Sequence, residues 1–148
     1  MRHRKSCHKL SAPWRLSLIA SVFFASGCGS STTYPIVPAT GNVKYEDGTL
    51  IPAYRIQAKF ISEAPPLDKK THPRPGLGEV NVDDGSFAVS TYDFEDGLIR
   101  GKHKVTVRSY DEKNLPSGEI PEVYASPDSS PLEVDASEYP FELRIQKP

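Results

Sequence analysis

The chain is short of the residues that carry covalent and redox chemistry. Its 148 residues include 2 cysteines, 1 tryptophan and 1 methionine. Cys7, Trp14 and Cys28 all stand before residue 29. From there to Pro148 no thiol is present, which excludes a disulfide framework, a Cys-based zinc site and a thiol nucleophile from that part. Histidine is nearly as scarce, with only His72 and His103 beyond residue 28. Long apolar runs are also missing. The longest, Leu16 to Ala25, is interrupted by Ser17 and Ser21 and is far shorter than the roughly 20 apolar residues a bilayer-spanning helix needs. Excess positive charge is absent too: the formal net charge is −1, a poor basis for nucleic-acid binding. From Thr40 onward no segment carries the 3.6-residue period of an amphipathic helix.

What the N-terminus does have is a basic start and an apolar middle. Arg2, Arg4, Lys5, Lys9 and Arg15 precede the Leu16–Ala25 run, and no acid accompanies them. Small residues Ala25-Ser26-Gly27 then lead into Cys28. A basic n-region, a short h-region and small residues before a cleavage point are the secretory pattern. Ala25-Ser26-Gly27-Cys28 resembles the lipobox of bacterial lipoproteins. The resemblance implies removal of residues 1–27 and a diacylglyceryl group on the Cys28 sulfur, with a further acyl chain such as palmitate on its amine. More than one chain is needed for stable anchoring. It places the protein in a bacterial cell envelope, and Gly29 rather than Asp after the cysteine points to the outer membrane. An uncleaved anchor is the alternative. Without residues 1–27 the chain keeps 13 of its 18 basic residues against 19 acids, a net charge of −6.

Residues 28–39 read as the lipidated cysteine and a flexible tether, with hydroxyl residues and Pro35 and Pro38 keeping it extended. Residues 40–148 then form one domain with a period of two. Val43 and Tyr45 alternate with polar neighbours. Tyr54, Ile56, Ala58 and Phe60 share one face. Val80 and Val82 lead into the Asp83-Asp84-Gly85 turn, and Phe87 and Val89 leave it. His103, Val105 and Val107, then Leu132 and Val134, then Phe141, Leu143 and Ile145 complete the set. Seven short strands, each with one apolar face, predict an all-β, seven-stranded antiparallel β-sandwich. Two Pro-rich loops interrupt it, Ser62 to Gly76 and Asp111 to Pro131.

Four segments in this order resemble carboxypeptidase regulatory-like, transthyretin-like domains: Gly41-Asn42-Val43-Lys44-Tyr45-Glu46-Asp47-Gly48-Thr49-Leu50, Asp83-Asp84-Gly85-Ser86-Phe87, Gly101-Lys102-His103-Lys104-Val105-Thr106-Val107 and Ile120-Pro121-Glu122-Val123-Tyr124. The resemblance spans about residues 40 to 146. It implies a prealbumin-like, Ig-like sandwich, and small bacterial lipoproteins with this domain share the lipobox, tether and single sandwich. Fold alone assigns no activity.

Each candidate chemistry has a plainer explanation. The transthyretin-like hydroxyisourate hydrolases use several histidines, an arginine and a C-terminal Tyr-Arg-Gly-Ser, whereas this chain ends Arg144-Ile145-Gln146-Lys147-Pro148. His103 stands on an apolar strand face and reads as buried, and His72 reads as solvated. Asp83 and Asp84, with Asp93, Glu95 and Asp96, lack the alternating oxygen ladder that calcium needs. Clustered carboxylates on one turn do not flank a glycosidic bond. Ser86 and Ser90 have no adjacent base. No catalytic residue, metal or cofactor is therefore expected. Lys102, Lys104 and Arg108, with Arg55 and Lys59, form outward basic stripes. They serve either strand protection or contact with anionic partners.

The functional expectation is a non-catalytic, lipid-anchored envelope module that binds or scaffolds a partner, held to the membrane through Cys28. The contact residues expected on and near the long loops are Tyr92, Phe94, Tyr110, Tyr124, His72 and Arg74. The alternatives are a cell-wall glycan-binding domain using the exposed tyrosines and a transthyretin-like hydrolase.

Overall fold

The computed structural model describes residues 33–148. Cys28 and the expected signal segment lie outside the described residues. Nine strands form, in chain order: β1 (Ile36–Val37), β2 (Thr40–Tyr45), β3 (Arg55–Ser62), β4 (Gly76–Val80), β5 (Ser86–Ser90), β6 (Leu98–Ile99), β7 (Lys102–Tyr110), β8 (Glu133–Asp135) and β9 (Phe141–Ile145). One 3₁₀ turn, Glu122–Ala125, is the only helical element among the described residues.

Seven strands join in one mixed, nearly barrel-shaped sheet of order β8-β7-β3-β4-β5-β2-β9. Each corresponds in chain order to one of the seven strands expected from alternation, with different bounds for β4 and β8. Alternation puts Ile56, Ala58 and Phe60 of β3 inside, opposite Ser109, Val107 and Val105 of β7. Phe60 is fully buried, its ring 5.7 Å from Phe87 and 5.9 Å from Phe141. The Asp83-Asp84-Gly85 turn joins β4 to β5. Gly85 takes φ +83°, its N–H reaches the Asn81 carbonyl at 2.7 Å, and the Asp84 carboxylate accepts the Ser86 N–H at 2.7 Å.

Several expectations need correction. The sheet is not wholly antiparallel, because β9 runs parallel to β2 from Gly41↔Phe141 to Tyr45↔Ile145. These strands come from opposite ends of the domain, so no hairpin dictates their direction. Tyr54 does not share the core face. It lies just before β3 begins and is 67% exposed. β4 begins at Gly76, so the first long loop ends one residue sooner, and Val82 sits in the turn rather than in the strand. The inward positions of β4 are Gly76, Gly78 and Val80. A Cβ on Gly76 would come 2.4 Å from Leu98, and one on Gly78 would come 3.0 Å from Phe87. Neighbouring side chains fill the space, so the core face there carries no apolar pattern.

The tether is also shorter than expected. Ile36–Val37 pairs with Leu98–Ile99 in a separate two-stranded sheet that the sequence pattern did not announce. Tyr34 is buried. Its hydroxyl stands 3.0 Å from the Pro65 carbonyl and 3.2 Å from that of Thr71, and it accepts the Leu67 N–H. Residues 34–37 are therefore part of the folded body, and Tyr34 pins the first long loop. Gly97 makes the β1–β6 contact possible: it has φ +106°, and a Cβ there would sit 1.9 Å from the Val37 carbonyl oxygen.

Candidate functional site: a basic cleft on the β3–β7 face

The antiparallel register of β3 and β7 fixes an outward row on each strand. Arg55 opposes Tyr110, Gln57 opposes Arg108, Lys59 opposes Thr106 and Ile61 opposes Lys104. Residues from the second long loop rise beside this face. Gln57, Lys59, Ile61, Thr106, Arg108 and Tyr110 form the floor of a cleft of about 320 Å³, with Ala125 and Pro127 on its rim. Arg108 ties the rim down: its Nε and Nη2 donate to the Ala125 carbonyl at 3.2 and 2.9 Å. A second cavity of about 190 Å³ adjoins, between Ser109 and the Pro116–Glu122 stretch, and shares Arg108 and Ala125 with the first.

The loop is held at several points. Ser117 N–H donates to the Ser109 carbonyl, and the Ser130 hydroxyl donates to that of Val105. Asp111 accepts the N–H groups of Lys113 and Leu115. The loop closes along the β7 edge because β8 is too short to cover it. Buried Ser117 Oγ, in this stretch, has no hydrogen-bond partner among the described residues.

The cations on this face differ in how they are compensated. Arg55 binds Glu79 through Nε at 3.0 Å and Nη2 at 2.6 Å, and its guanidinium lies 5.4 Å from the Tyr110 ring centroid. The ion pair with Glu79 raises the Arg55 pKa. The Arg55 hydrogen bonds in turn hold the Glu79 carboxyl below its ordinary value, against a smaller opposing effect of burial. Lys104 is paired with Glu133. Neither Lys59 nor Arg108 forms a salt bridge among the described residues, and residues 1–32 contain no acid that could supply one. Two uncompensated cations thus stand on adjacent strands of one cleft beside Gln57, Thr106 and Tyr110. The cleft is chemically suited to oxygen anions, which Arg and Lys bind by charge-assisted hydrogen bonds.

The expected contact residues do not converge on it. Tyr110 lines the cleft. Tyr124 is buried, and its hydroxyl accepts the Gln146 N–H at 3.1 Å, so its ring belongs to the interior. Arg74 lies 5.7 Å from the Tyr92 ring centroid, which brings those two together away from the cleft. Phe94 is 87% exposed, and His72 is exposed on the first long loop. The sequence did name Arg108, Lys59 and Arg55 as an outward basic stripe. Ala125 and Pro127 carried no such signal, because their role depends on where the loop folds back.

Other polar residues singled out in the sequence have structural roles. Asp96 accepts the N–H groups of Thr91, Tyr92 and Asp93, at 2.7, 3.0 and 3.1 Å. Burial pushes its pKa up, but these amides outweigh that and hold the carboxyl below its ordinary value. It organises its own turn. His103 is buried, with Nδ1 3.0 Å from the Gly101 carbonyl and no hydrogen-bond partner for Nε2 among the described residues. Among the described residues no group of three or more His, Cys, Asp or Glu side chains is placed to hold a metal ion.

No known family, curated protein or solved structure matches the chain.

Proposed function

We propose that this chain is a non-catalytic, lipid-anchored binding module of a bacterial cell envelope. In this reading Cys28 carries the lipid, the all-β body is a variant of the prealbumin-like sandwich wrapped towards a barrel, and the β3–β7 cleft meets an acidic envelope partner. The observation that carries it is the pair of uncompensated cations, Lys59 and Arg108, on a pre-formed cleft whose rim is fastened to its floor. A site held by a rigid sheet loses little order on binding, which favours recognition. The N-terminal pattern supports the anchor, since a basic start, a short apolar run and Ala25-Ser26-Gly27-Cys28 occur together.

A second reading, an acidic cell-wall glycan as ligand, is favoured by one feature: Tyr110 presents its ring in the same cleft as Gln57 and Thr106. Three experiments test the proposal. Radiolabelled fatty acid is expected in the wild type and absent from Cys28→Ala. Pull-down of acidic envelope polysaccharide separates the readings: retention lost in Lys59→Glu and Arg108→Gln supports the glycan, while cross-linking to a protein lost in the same variants supports the protein partner. Neither signal responding to those substitutions contradicts the cleft.

A further inference from the structure

The two ends of the seven-stranded sheet are finished differently. At one end β8 has only three residues, and the following β7 edge is covered by the second long loop. At the other end β9 pairs, among the described residues, with β2 on one side alone. The Ile145 carbonyl accepts the Glu46 N–H, so Phe141, Leu143 and Ile145 turn their backbone groups towards β2. By alternation the N–H and C=O of Glu142 and Arg144 point outward. Gln146, next in that outward series, gives its N–H to the Tyr124 hydroxyl, and no described group does the same for Glu142 or Arg144. Exposed edges invite strand pairing and are commonly blunted by like charges, Pro, a bulge or a covering loop. Phe141-Glu142-Leu143-Arg144-Ile145 has no Pro within it, and its two exposed charges, Glu142 and Arg144, are of opposite sign.

The strand is also complementary to itself. About Leu143 it is symmetric in apolar character and opposite in charge, Glu142 on one side and Arg144 on the other. We propose that β9 is a self-association edge: a second copy of this chain adds its own β9 antiparallel, about a two-fold axis at Leu143. Glu142 then faces the partner's Arg144, and Arg144 faces the partner's Glu142. Each of these pairs exchanges both backbone hydrogen bonds, because these residues carry the outward N–H and C=O groups. Leu143 falls at the non-hydrogen-bonded position, and its side chain stays in the core of its own copy.

Charge fixes the register. Sliding by two residues sets Glu142 against the partner's Glu142, or Arg144 against the partner's Arg144. Both are like-charge pairs, which destabilise when directly opposed. Sliding by one residue points the backbone groups of one strand away from the other. The intrastrand Arg144–Glu142 contact at 2.9 Å is exposed, so its exchange for cross-strand pairs costs little. The proposal is independent of the cleft, which lies on β3 and β7.

The test is sedimentation velocity of the full chain in density-matched detergent. The wild type is expected to dimerise. Glu142→Arg alone and Arg144→Glu alone are expected to weaken the dimer by at least about tenfold, because each opposes like charges at both symmetry-related pairs. Mixing the two variants restores opposite charges at both pairs, so a one-to-one heterodimer should reappear at wild-type strength. Both positions are exposed, and unchanged circular dichroism confirms that the variants fold. A monomeric wild type overturns the proposal. So does dimerisation unaffected by either substitution, as expected if residues 1–32 or the detergent drive association. Two variants that stay monomeric when mixed also overturn it.

Discussion

His103 gives the sharpest test of the interior. Its ring is buried on the inward face of β7 with Nδ1 3.0 Å from the Gly101 carbonyl, so the neutral ring donates there and leaves Nε2 an acceptor with no donor among the described residues. Burial lowers the His103 pKa, only partly opposed by the Gly101 hydrogen bond and by Asp135 and Glu63. The unfolded chain retains the ordinary value near 6.5. As pH falls through about 6.5 the unfolded state takes up a proton that the folded state refuses, so stability decreases. One proton sets the limiting slope at about 1.4 kcal/mol per pH unit, and the loss levels off below the folded-state pKa. Glu79, Glu133, Asp68, Asp84 and Asp135 all have depressed folded-state values. Their contributions are lost only as pH falls below about 4.5, where unfolded carboxylates begin to protonate. Urea denaturation of wild type and His103→Phe at pH 8, 7, 6 and 5 isolates the effect. Phe fills a similar volume, and the Gly101 carbonyl keeps the Ala136 N–H. The wild type should lose stability between pH 7 and 5 relative to the variant. Parallel profiles in that interval would refute the assignment of a buried neutral ring.

Other substitutions sort by magnitude. Phe60→Ala should lower stability by about 3–5 kcal/mol in urea denaturation, since a fully buried ring between Phe87 and Phe141 is removed. Gly97→Ala should cost about 1–3 kcal/mol and speed hydrogen exchange at Ile36 and Val37, because the added methyl meets the Val37 carbonyl and the residue must hold a positive φ. Lys104→Met should leave the urea midpoint nearly unchanged, because its Glu133 partner is surface-exposed. A larger loss in denaturation would mean the pair supports the β7–β8 edge more than its exposure allows.

The strands that could be read in the sequence are those whose inward positions carry side chains. Ile56, Ala58 and Phe60, and Phe141, Leu143 and Ile145, alternate without interruption and were located directly. β4 was half hidden because Gly76 and Gly78 hold inward positions filled by Leu98, Val89 and Phe87. β1 and β6 are two residues each, too short to show a period, and their pairing depends on Gly97. The parallel β2–β9 pair could not be inferred, because alternation specifies which face a strand buries and not which neighbour it takes. For the cleft, the floor cations were visible as an outward stripe, while the rim at Ala125 and Pro127 follows from the Arg108 bonds to a loop carbonyl. Tyr124 misled for a related reason. A tyrosine in a Pro-rich loop reads as exposed, yet the loop folds back and buries it.

The most direct test of the central claim is in-cell photo-cross-linking from the cleft. A photoreactive residue at Lys59 should capture an envelope partner, and the same residue at exposed Glu46 should not. The adduct should vanish with Arg108→Gln and weaken sharply with Cys28→Ala, which removes the proposed anchor. Capture equal at both positions, or an adduct at Lys59 indifferent to Arg108 and to Cys28, would contradict a membrane-held module that recognises its partner through this cleft.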